Sequence, residues 1–548
     1  MSSTDSPNDV PKRQPPALYM LFFAEMWERF SFYGMRALLT LYLVRQLFAD
    51  MNAQGADAKA KGIYAAYGAL VYATPFLGGI VADRILGYKR AVMLGAVLMA
   101  IGHFVMAIET EFFLYLALAF LIAGNGFFKP NISSMVGGLY PDRNDPRRDG
   151  GFTIFYMGIN LGAFAAPLAC GAIGELYGWS YGFGLAGIGM VAGLLVFGWG
   201  KGLLGENGDP PSELLHRKVG PLTVEWLTYG LGFLSVVLFA LLVRHFHVMS
   251  YVLTPFAVGV ILVIFGYAIK SEKVVRERLF VVIVLLFFST LFWAFFEQAG
   301  TSLTLFTDTN VDRGALPASI FQAVNPLFIL LLAPLFSMLW TRLGRMGKEP
   351  STPFKFALGV AQLGLGFLVL GWSAASVHDG EVMVVVDGVE ITRAAAVVPL
   401  FFLVAGYFFH TTGELCLSPI GLSMVTRLSP KKITAMVMGA WFLSSAMAHH
   451  VAGIIALLMA PPETGDNPGQ LALELGVLDS LGDRSPELLQ SYDSLANYTQ
   501  VFEQLGWVAL GAAALCFLLV PVLKRWMHLE VSGDGTEAEE GDPAHGSA

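Results

Sequence analysis

Charge is what this 548-residue chain has least of: Asp, Glu, Lys and Arg make up 14% of it, about half the share found in soluble proteins. A water-soluble protein this long cannot build its surface from so few charges, which excludes an ordinary cytosolic enzyme and a disordered chain. Basic charge is also short, with a formal net charge of −8, so no basic face is available to a nucleic acid. There are three cysteines, Cys170, Cys416 and Cys516, each within an apolar run. They suit neither a metal site nor a disulfide framework and read as small buried hydrophobes. No His or Cys spacing supplies a nucleophile with a base, or a metal cluster, so enzyme chemistry has no foothold. The start of the chain through Pro16 is polar and Pro-rich, without a signal-peptide core; insertion is expected to use the first membrane helix itself.

What the chain has instead is apolar length. Apolar residues make up 55% of it, and 60 glycines come on top of these. Runs long enough to cross a bilayer, roughly 17–25 residues, recur fourteen times: 18–48, 61–83, 90–109, 111–139, 151–173, 179–200, 222–244, 250–270, 280–308, 317–341, 354–375, 395–424, 433–460 and 499–527. The expectation is an all-α integral membrane protein. An even number of spans puts both termini on one side. With that side inside, 24 of the 34 Lys and Arg residues fall in inside segments, among them Arg84, Lys89 and Arg90, and Lys270, Lys273, Arg276 and Arg278. Seven (Arg45, Lys59, Lys61, Arg244, Arg313, Arg393 and Arg484) fall outside or at outer helix ends, and three lie within spans. This asymmetry predicts cytoplasmic termini.

The connections are uneven. Residues 376–393 alternate apolar and polar around Asp-Gly, which predicts a small β-hairpin. Residues 461–498 are acidic and read as a solvated loop with a short helix. The tail after Glu530 is acidic and Gly-rich and is expected to be disordered. Segment 201–221 reads as a linker into two spans, 222–244 and 250–270, with little polar content, expected to face lipid. Without them six spans remain on each side. The expected organisation is therefore a tail 1–17, a bundle 18–200, a linker and two-helix insertion 201–279, a bundle 280–527 and a tail 528–548.

A charge at the centre of a membrane helix costs about 2.5–3.5 kcal/mol on insertion scales, so each one needs a reason. In the first span Glu25, Glu28, Arg29, Phe32 and Arg36 share a stripe about 100° wide, with Tyr33 at its edge. Four ionisable groups on one face must line a polar interior. Lys129 lies mid-span in GNGFFKPNISS and requires a carboxylate partner, for which the first-span acids are candidates. Glu297 and Asp308 are eleven residues apart, as are Glu25 and Arg36, and on a continuous helix they share a face about 16 Å apart in height. Glu414 and Ser418 are four apart, with Pro419 expected to break the helix. Tyr67, Tyr72, Asn160, Trp293, Asn325 and Trp441 are further pocket candidates. Counting Glu25, Glu28, Glu297, Asp308 and Glu414 against Arg29, Arg36 and Lys129 leaves two acids without partners. An unpaired carboxylate in a low-dielectric cavity tends to hold a proton, which is the physical basis for proton coupling. Mixed signs in one cavity suit a substrate with both an amine and a carboxylate.

These residues resemble the proton-coupled oligopeptide transporter (POT) family of the major facilitator superfamily. The hallmark E-x-x-E-R-F-x-Y-Y-G is similar to Glu25-Met-Trp-Glu28-Arg29-Phe30-Ser-Phe32-Tyr33-Gly34, with Phe32 replacing the first Tyr and so removing a hydroxyl that could bear on side-chain selectivity. GNGFFKPNIS around Lys129, FWAFFEQ around Glu297, GELCLSPIGLS around Glu414 and the gating loop GGIVADRILGYKR resemble other signature segments. The resemblance implies two six-helix bundles plus two extra helices, alternating access and import of di- and tripeptides across an inner membrane, the alternatives on the same fold being a carrier of nitrate or another small anion or metabolite, or a drug or metabolite exporter. The proton gradient would supply the energy and no cofactor would be needed. It also implies roles: Arg29, Arg36 and Lys129 for the peptide carboxylate; Asn325 and Glu414 for its amino terminus, with Asn160 on its backbone; Tyr33, Tyr72 and Trp441 for side-chain pockets; Glu25, Glu28 and Glu297 for the proton. Arg36 with Asp308 would close the outside gate, and Lys129 with Glu414 the inside one.

Overall fold

The structure is a computed structural model describing residues 13–140, 145, 147–210, 213–386, 389–417, 421–430, 433–460 and 467–528. Its helices are α1 (Pro16–Tyr42), α2 (Ala53–Val81), α3 (Gly87–Met106), α4 (Glu111–Gly138), α5 (Arg148–Ala166), α6 (Ala172–Tyr177), α7 (Trp179–Gly200), α8 (Val224–Arg244), α9 (Val248–Lys270), α10 (Lys273–Phe296), α11 (Ser302–Asn310), α12 (Val324–Arg345), α13 (Thr352–Trp372), α14 (Leu400–Leu417), α15 (Gly421–Leu428), α16 (Thr434–Leu458), α17 (Gln470–Glu474) and α18 (Pro486–Trp526). Twelve stretches among the described residues are long and apolar enough to cross a membrane. One of them, Ala53–Met106, contains both α2 and α3. α1 is not among them because it carries Glu25, Glu28, Arg29 and Arg36. All fourteen expected spans are therefore helical, and the chain is a multi-pass membrane protein.

Several boundaries differ from the sequence reading for local reasons. α2 begins eight residues early because Asn52 caps it, its side chain accepting from Gly55 N. The span expected from 280 to 308 is not one helix. α10 stops at Phe296, a 3-10 turn covers Glu297–Gly300, and Thr301 (φ −127°, ψ −95°) separates it from α11. The twelfth span starts at Leu400 rather than 395, because residues up to Pro399 are strand. The expected hairpin forms from β4 (His378–Val386) and β5 (Val389–Pro399), paired antiparallel from His378↔Val397 to Val386↔Val389. A two-residue strand (Val311–Asp312) runs parallel to β5. The loop expected at 461–498 holds α17, but from Pro486 it already belongs to α18. The tail from 529, Ser418 and Pro419 lie outside the described residues.

Helix packing follows small residues, as expected where lipid tails compete with side chains. A Cβ on Gly78 of α2 would collide with the Gly126 carbonyl of α4, and one on Gly364 of α13 would stand 2.9 Å from the Gly506 carbonyl of α18. The parts before and after the α8–α9 insertion meet where α2 packs on α16 and α5 on α12. α8 packs on α4, and α9 on α10 and α16. Only 22% and 17% of the apolar stretches of α8 and α9 are buried, so these helices present most of their surface to lipid.

Candidate transport site

A cavity of about 360 Å³ lies between the two halves. α1 contributes Glu25, Arg29, Tyr33 and Arg36; α2 Tyr72; α4 Lys129; α5 Tyr156 and Asn160. From the second half come Trp293, Glu297, Gln322, Asn325, Tyr407 and Glu414. The α1 stripe is thus real but rotated. Tyr33 is on the cavity face, while Glu28 and Phe32 sit behind it. The Phe32 ring is only 4% exposed, lies under the Arg29 guanidinium (5.1 Å) and stacks on Tyr67 (6.4 Å). The missing hydroxyl is therefore not a loss from the cavity wall; the neighbouring Tyr67 hydroxyl is buried without a hydrogen-bond partner among the described residues. Tyr67 and Trp441 are not among the cavity-lining residues, contrary to the pocket assignment, because Tyr67 packs against Phe32 and Trp441 against the core.

Arg29 is saturated. Its Nη2 donates to Glu28 Oε1 at 2.6 Å, its Nε contacts Glu28 Oε2, and Glu25 Oε1 lies 3.3 Å from Nε. Arg36 Nη2 donates to Glu297 Oε2 at 2.6 Å across the two halves. The expected outside pair Arg36–Asp308 is not formed. Asp308 instead holds Arg45, with Nε to Oδ2 at 2.8 Å, and Arg313 Nη2 at 3.0 Å. Arg45 also reaches Glu175 (3.1 Å), whose other oxygen accepts from Ser319 N across the halves at 2.7 Å. The two halves meet at two depths, Arg36 with Glu297 at the centre and Arg45 with Asp308 nearer the outside end, so Arg45 takes the place expected for Arg36 in the outer pair. Two local features explain this. The break after Phe296 displaces Asp308, and the π-helical turn Leu43–Leu47 re-aims Arg45. On an ideal helix, nine residues would put Arg45 about 180° from Arg36.

The inside pair Lys129–Glu414 is also not formed. Lys129 makes no ion pair among the described residues; its Nζ rests over the Tyr72 ring at 4.5 Å, so the first-span acids do not partner it as expected. Among the described residues Glu414 accepts only from Asn325 Nδ2, at 3.0 Å. The cavity therefore presents one unpaired cation from the first half and one unpaired carboxylate from the second. With Asp308 in the outer cluster and Glu28 behind the wall, three acids (Glu25, Glu297 and Glu414) face three bases (Arg29, Arg36 and Lys129) around the cavity, instead of the expected five facing three. Among the described residues the cross-half ion pairs and hydrogen bonds, including Arg36–Glu297, Arg45–Asp308 and Thr40 Oγ1 to Gly300 O at 2.7 Å, hold the centre and the end assigned to the outside.

Two buried groups were not assigned a role from sequence. His449 of α16 stacks on Tyr72 (4.5 Å) and places Nε2 3.7 Å from Glu297 Oε1. Its ring occupies space left by Gly68, where a Cβ would be 2.6 Å from Nδ1. Lys129, Tyr72, His449, Glu297 and Arg36 thus form one continuous chain of contacts between the halves. Lys61, read as an outer helix end, is fully buried, paired with Asp57 at 2.7 Å and donating to Met459 O at 3.2 Å. The i,i+4 spacing of Asp57 and Lys61 was the available signal for that pair.

Known proteins place this architecture. The sequence model of the POT family matches residues 89–470. Dipeptide and tripeptide permease B of Aeromonas hydrophila is 34% identical over 96% of this chain and 96% of its own length. Dipeptide and tripeptide permease A of Proteus mirabilis is 32% identical over 96% and 99%. The crystal structure of a peptide transporter mutant in complex with alafosfalin superposes with a TM-score of 0.73 at 34% identity, covering 95% of this chain and 98% of the other. A POT family transporter in complex with 5-aminolevulinic acid gives 0.72 at 30%, covering 93% and 97%. With Glu25, Arg29 and Tyr33 of its hallmark motif on the cavity wall and 93–96% of its length shared with these relatives, the chain belongs to the POT family.

Proposed function

We propose that this protein is a proton-driven symporter importing di- and tripeptides into a bacterial cell. One observation carries the reading: Lys129 and Glu414, both unpaired, line the same cavity from opposite halves. A peptide zwitterion supplies the two charges this cavity lacks. Its carboxylate goes to Lys129, and its amino terminus to Glu414 and Asn325, with Asn160 beside the backbone. A volume of about 360 Å³ is in the range of small-ligand pockets. Closing on the peptide draws the two halves together where the inside pair is open.

The proton acts through Glu297. Neutralising its carboxylate removes the partner of Arg36 and loosens the centre of the outside closure, so the site can open outward. Return of Glu297 to its charged form rebuilds the pair after release. Glu25 and Glu28 hold Arg29 in place and keep it from the substrate until one of them is protonated. No cofactor enters this cycle. The relatives named dipeptide and tripeptide permeases support the substrate class, and the 24 inside Lys and Arg residues support an inner-membrane orientation with both termini cytoplasmic.

Proteoliposomes with an inward proton gradient should accumulate labelled dialanine. Unlabelled di- and tripeptides should compete; single amino acids, tetrapeptides and nitrate should not. Uptake that survives collapse of the gradient removes the coupling, and competition by nitrate equal to that of dipeptide removes the substrate class.

A further inference from the structure

The loop joining α8 to α9 roofs a second cavity, of about 560 Å³, at the end of the bundle assigned to the outside. Its floor is the crossing of α2 and α16, where small residues bring the two halves together: a Cβ on Gly453 would collide with Ala65. Phe246 at the loop tip packs closely on Gly62 of α2, where a Cβ would fall 2.3 Å from its ring. The roof is thus fitted to the floor. A neighbouring cavity of about 380 Å³ shares Glu111, Tyr115 and Arg244 and runs along α8 past Val237 and Leu241. A polar recess therefore continues into an apolar channel on the lipid-facing flank.

The charges of the recess favour an anion. Glu111 is already engaged, by Lys59 Nζ at 2.7 Å and the Tyr115 hydroxyl at 2.8 Å. Arg244 has no ion pair among the described residues. His450 is 8% exposed, lines the recess and has no hydrogen-bond partner among the described residues. His245 and His247 stand exposed at the rim. Arg244 is the last residue of α8, a helix long and apolar enough to cross a membrane, and cationic side chains at such ends reach the headgroup level.

We propose that this recess binds the headgroup phosphate of an anionic phospholipid of the outer leaflet, through Arg244 and His450, with an acyl chain lying along α8. The two-helix insertion then serves to hold a lipid over the seam between the halves. His450 and His449 are neighbours on α16, one lining the recess and the other stacked on Tyr72 with Nε2 3.7 Å from Glu297 Oε1, so an occupant of the recess contacts the same turn of helix that approaches Glu297.

The proposal is tested by native mass spectrometry of the full-length protein after exchange into equal amounts of phosphatidylglycerol and phosphatidylcholine with identical acyl chains. The wild type should retain phosphatidylglycerol about fivefold over phosphatidylcholine, the preference expected from one cation at the membrane surface. Arg244→Ala and His450→Leu should each lose that preference while eluting as folded protein, and Trp507→Ala, on an unrelated lipid-facing surface, should keep it. Equal retention of the two lipids overturns the proposal, as does a preference that survives both substitutions. Displacement of the lipid by inorganic phosphate also overturns it, since the recess would then be a site for a free anion.

Discussion

Glu297→Gln separates the electrostatic role of this residue from its packing. The substitution keeps the shape and removes the charge facing Arg36. Both side chains are buried, 11% exposed for Arg36 and 4% for Glu297, so screening by water is weak. Stripping one partner from a fully buried ion pair costs about 3–5 kcal/mol. The glutamine oxygen can still accept one bond, and Arg36 keeps the rings of Tyr33 and Tyr64 at 5.7 and 5.9 Å. The loss is therefore closer to that of one charge-assisted hydrogen bond, about 2 kcal/mol, or about 30-fold in an equilibrium constant. Because the pair bridges the halves, the loss falls on the outside-closed state alone. Spin labels at Tyr181 and Glu381, on the outer ends of the two halves, should show the outside-open population rising by about that factor. Gradient-driven dipeptide uptake should vanish while peptide counterflow persists. If both transport modes fall together and the distance distribution does not move, Glu297 is a packing residue and does not couple the proton to transport.

Other consequences can be measured independently. A double-mutant cycle on folding or outside closure should give about 1–3 kcal/mol of coupling for Arg45 with Asp308 and almost none for Arg36 with Asp308; the reverse would restore the pairing expected from sequence. Lys129→Ala and Glu414→Gln should each weaken dialanine binding without preventing folding, and unchanged affinity would remove either from the substrate. His449→Gln should slow gradient-driven uptake, because the ring bridges Tyr72 and Glu297; an unaltered rate would leave the ring no part in transport. Outside the membrane, Asp379 is held below the usual carboxylate range by the Tyr492 hydroxyl (2.5 Å) and by Arg484 (3.1 Å). A depressed value stabilises hairpin docking above the ordinary carboxylate range and loses that stabilisation as pH falls through it. Amide exchange in residues 378–399 should therefore accelerate in acid, and Asp379→Asn should remove that acid sensitivity.

Length and apolarity were enough to place every membrane helix, because each span needs about the same run of apolar residues whatever its neighbours do. The cavity wall was legible for the same reason: Glu25, Arg29, Arg36, Lys129, Glu297 and Glu414 are expensive in lipid and have nowhere else to go. Partner identity was not legible. It depends on local departures from ideal helix geometry, a π turn at Leu43–Leu47 and a break at Thr301, and neither has a strong sequence signature. His449 was passed over because a histidine in an apolar run is equally consistent with packing, and only the opposing Gly68 shows which way the ring faces. Lys61 was misplaced because an i,i+4 acid can neutralise a lysine inside the membrane as well as near its edge.

α18 has 41 residues and so is about 60 Å long, twice the thickness of the hydrocarbon layer. Its outer part is tied to both α17 and the hairpin. Asp493 accepts from Gly469 N and Ala472 N at the start of α17, Ser491 accepts from Ala396 N of the hairpin, and Asp379 is tied to Tyr492 and Arg484. The protrusion is therefore a rigid mast fixed to one half. It breaks the near-symmetry of the two bundles in projection, gives an antibody fragment an epitope that does not touch the transport path, and turns each rocking motion of the C-terminal half into a visible tilt above the bilayer.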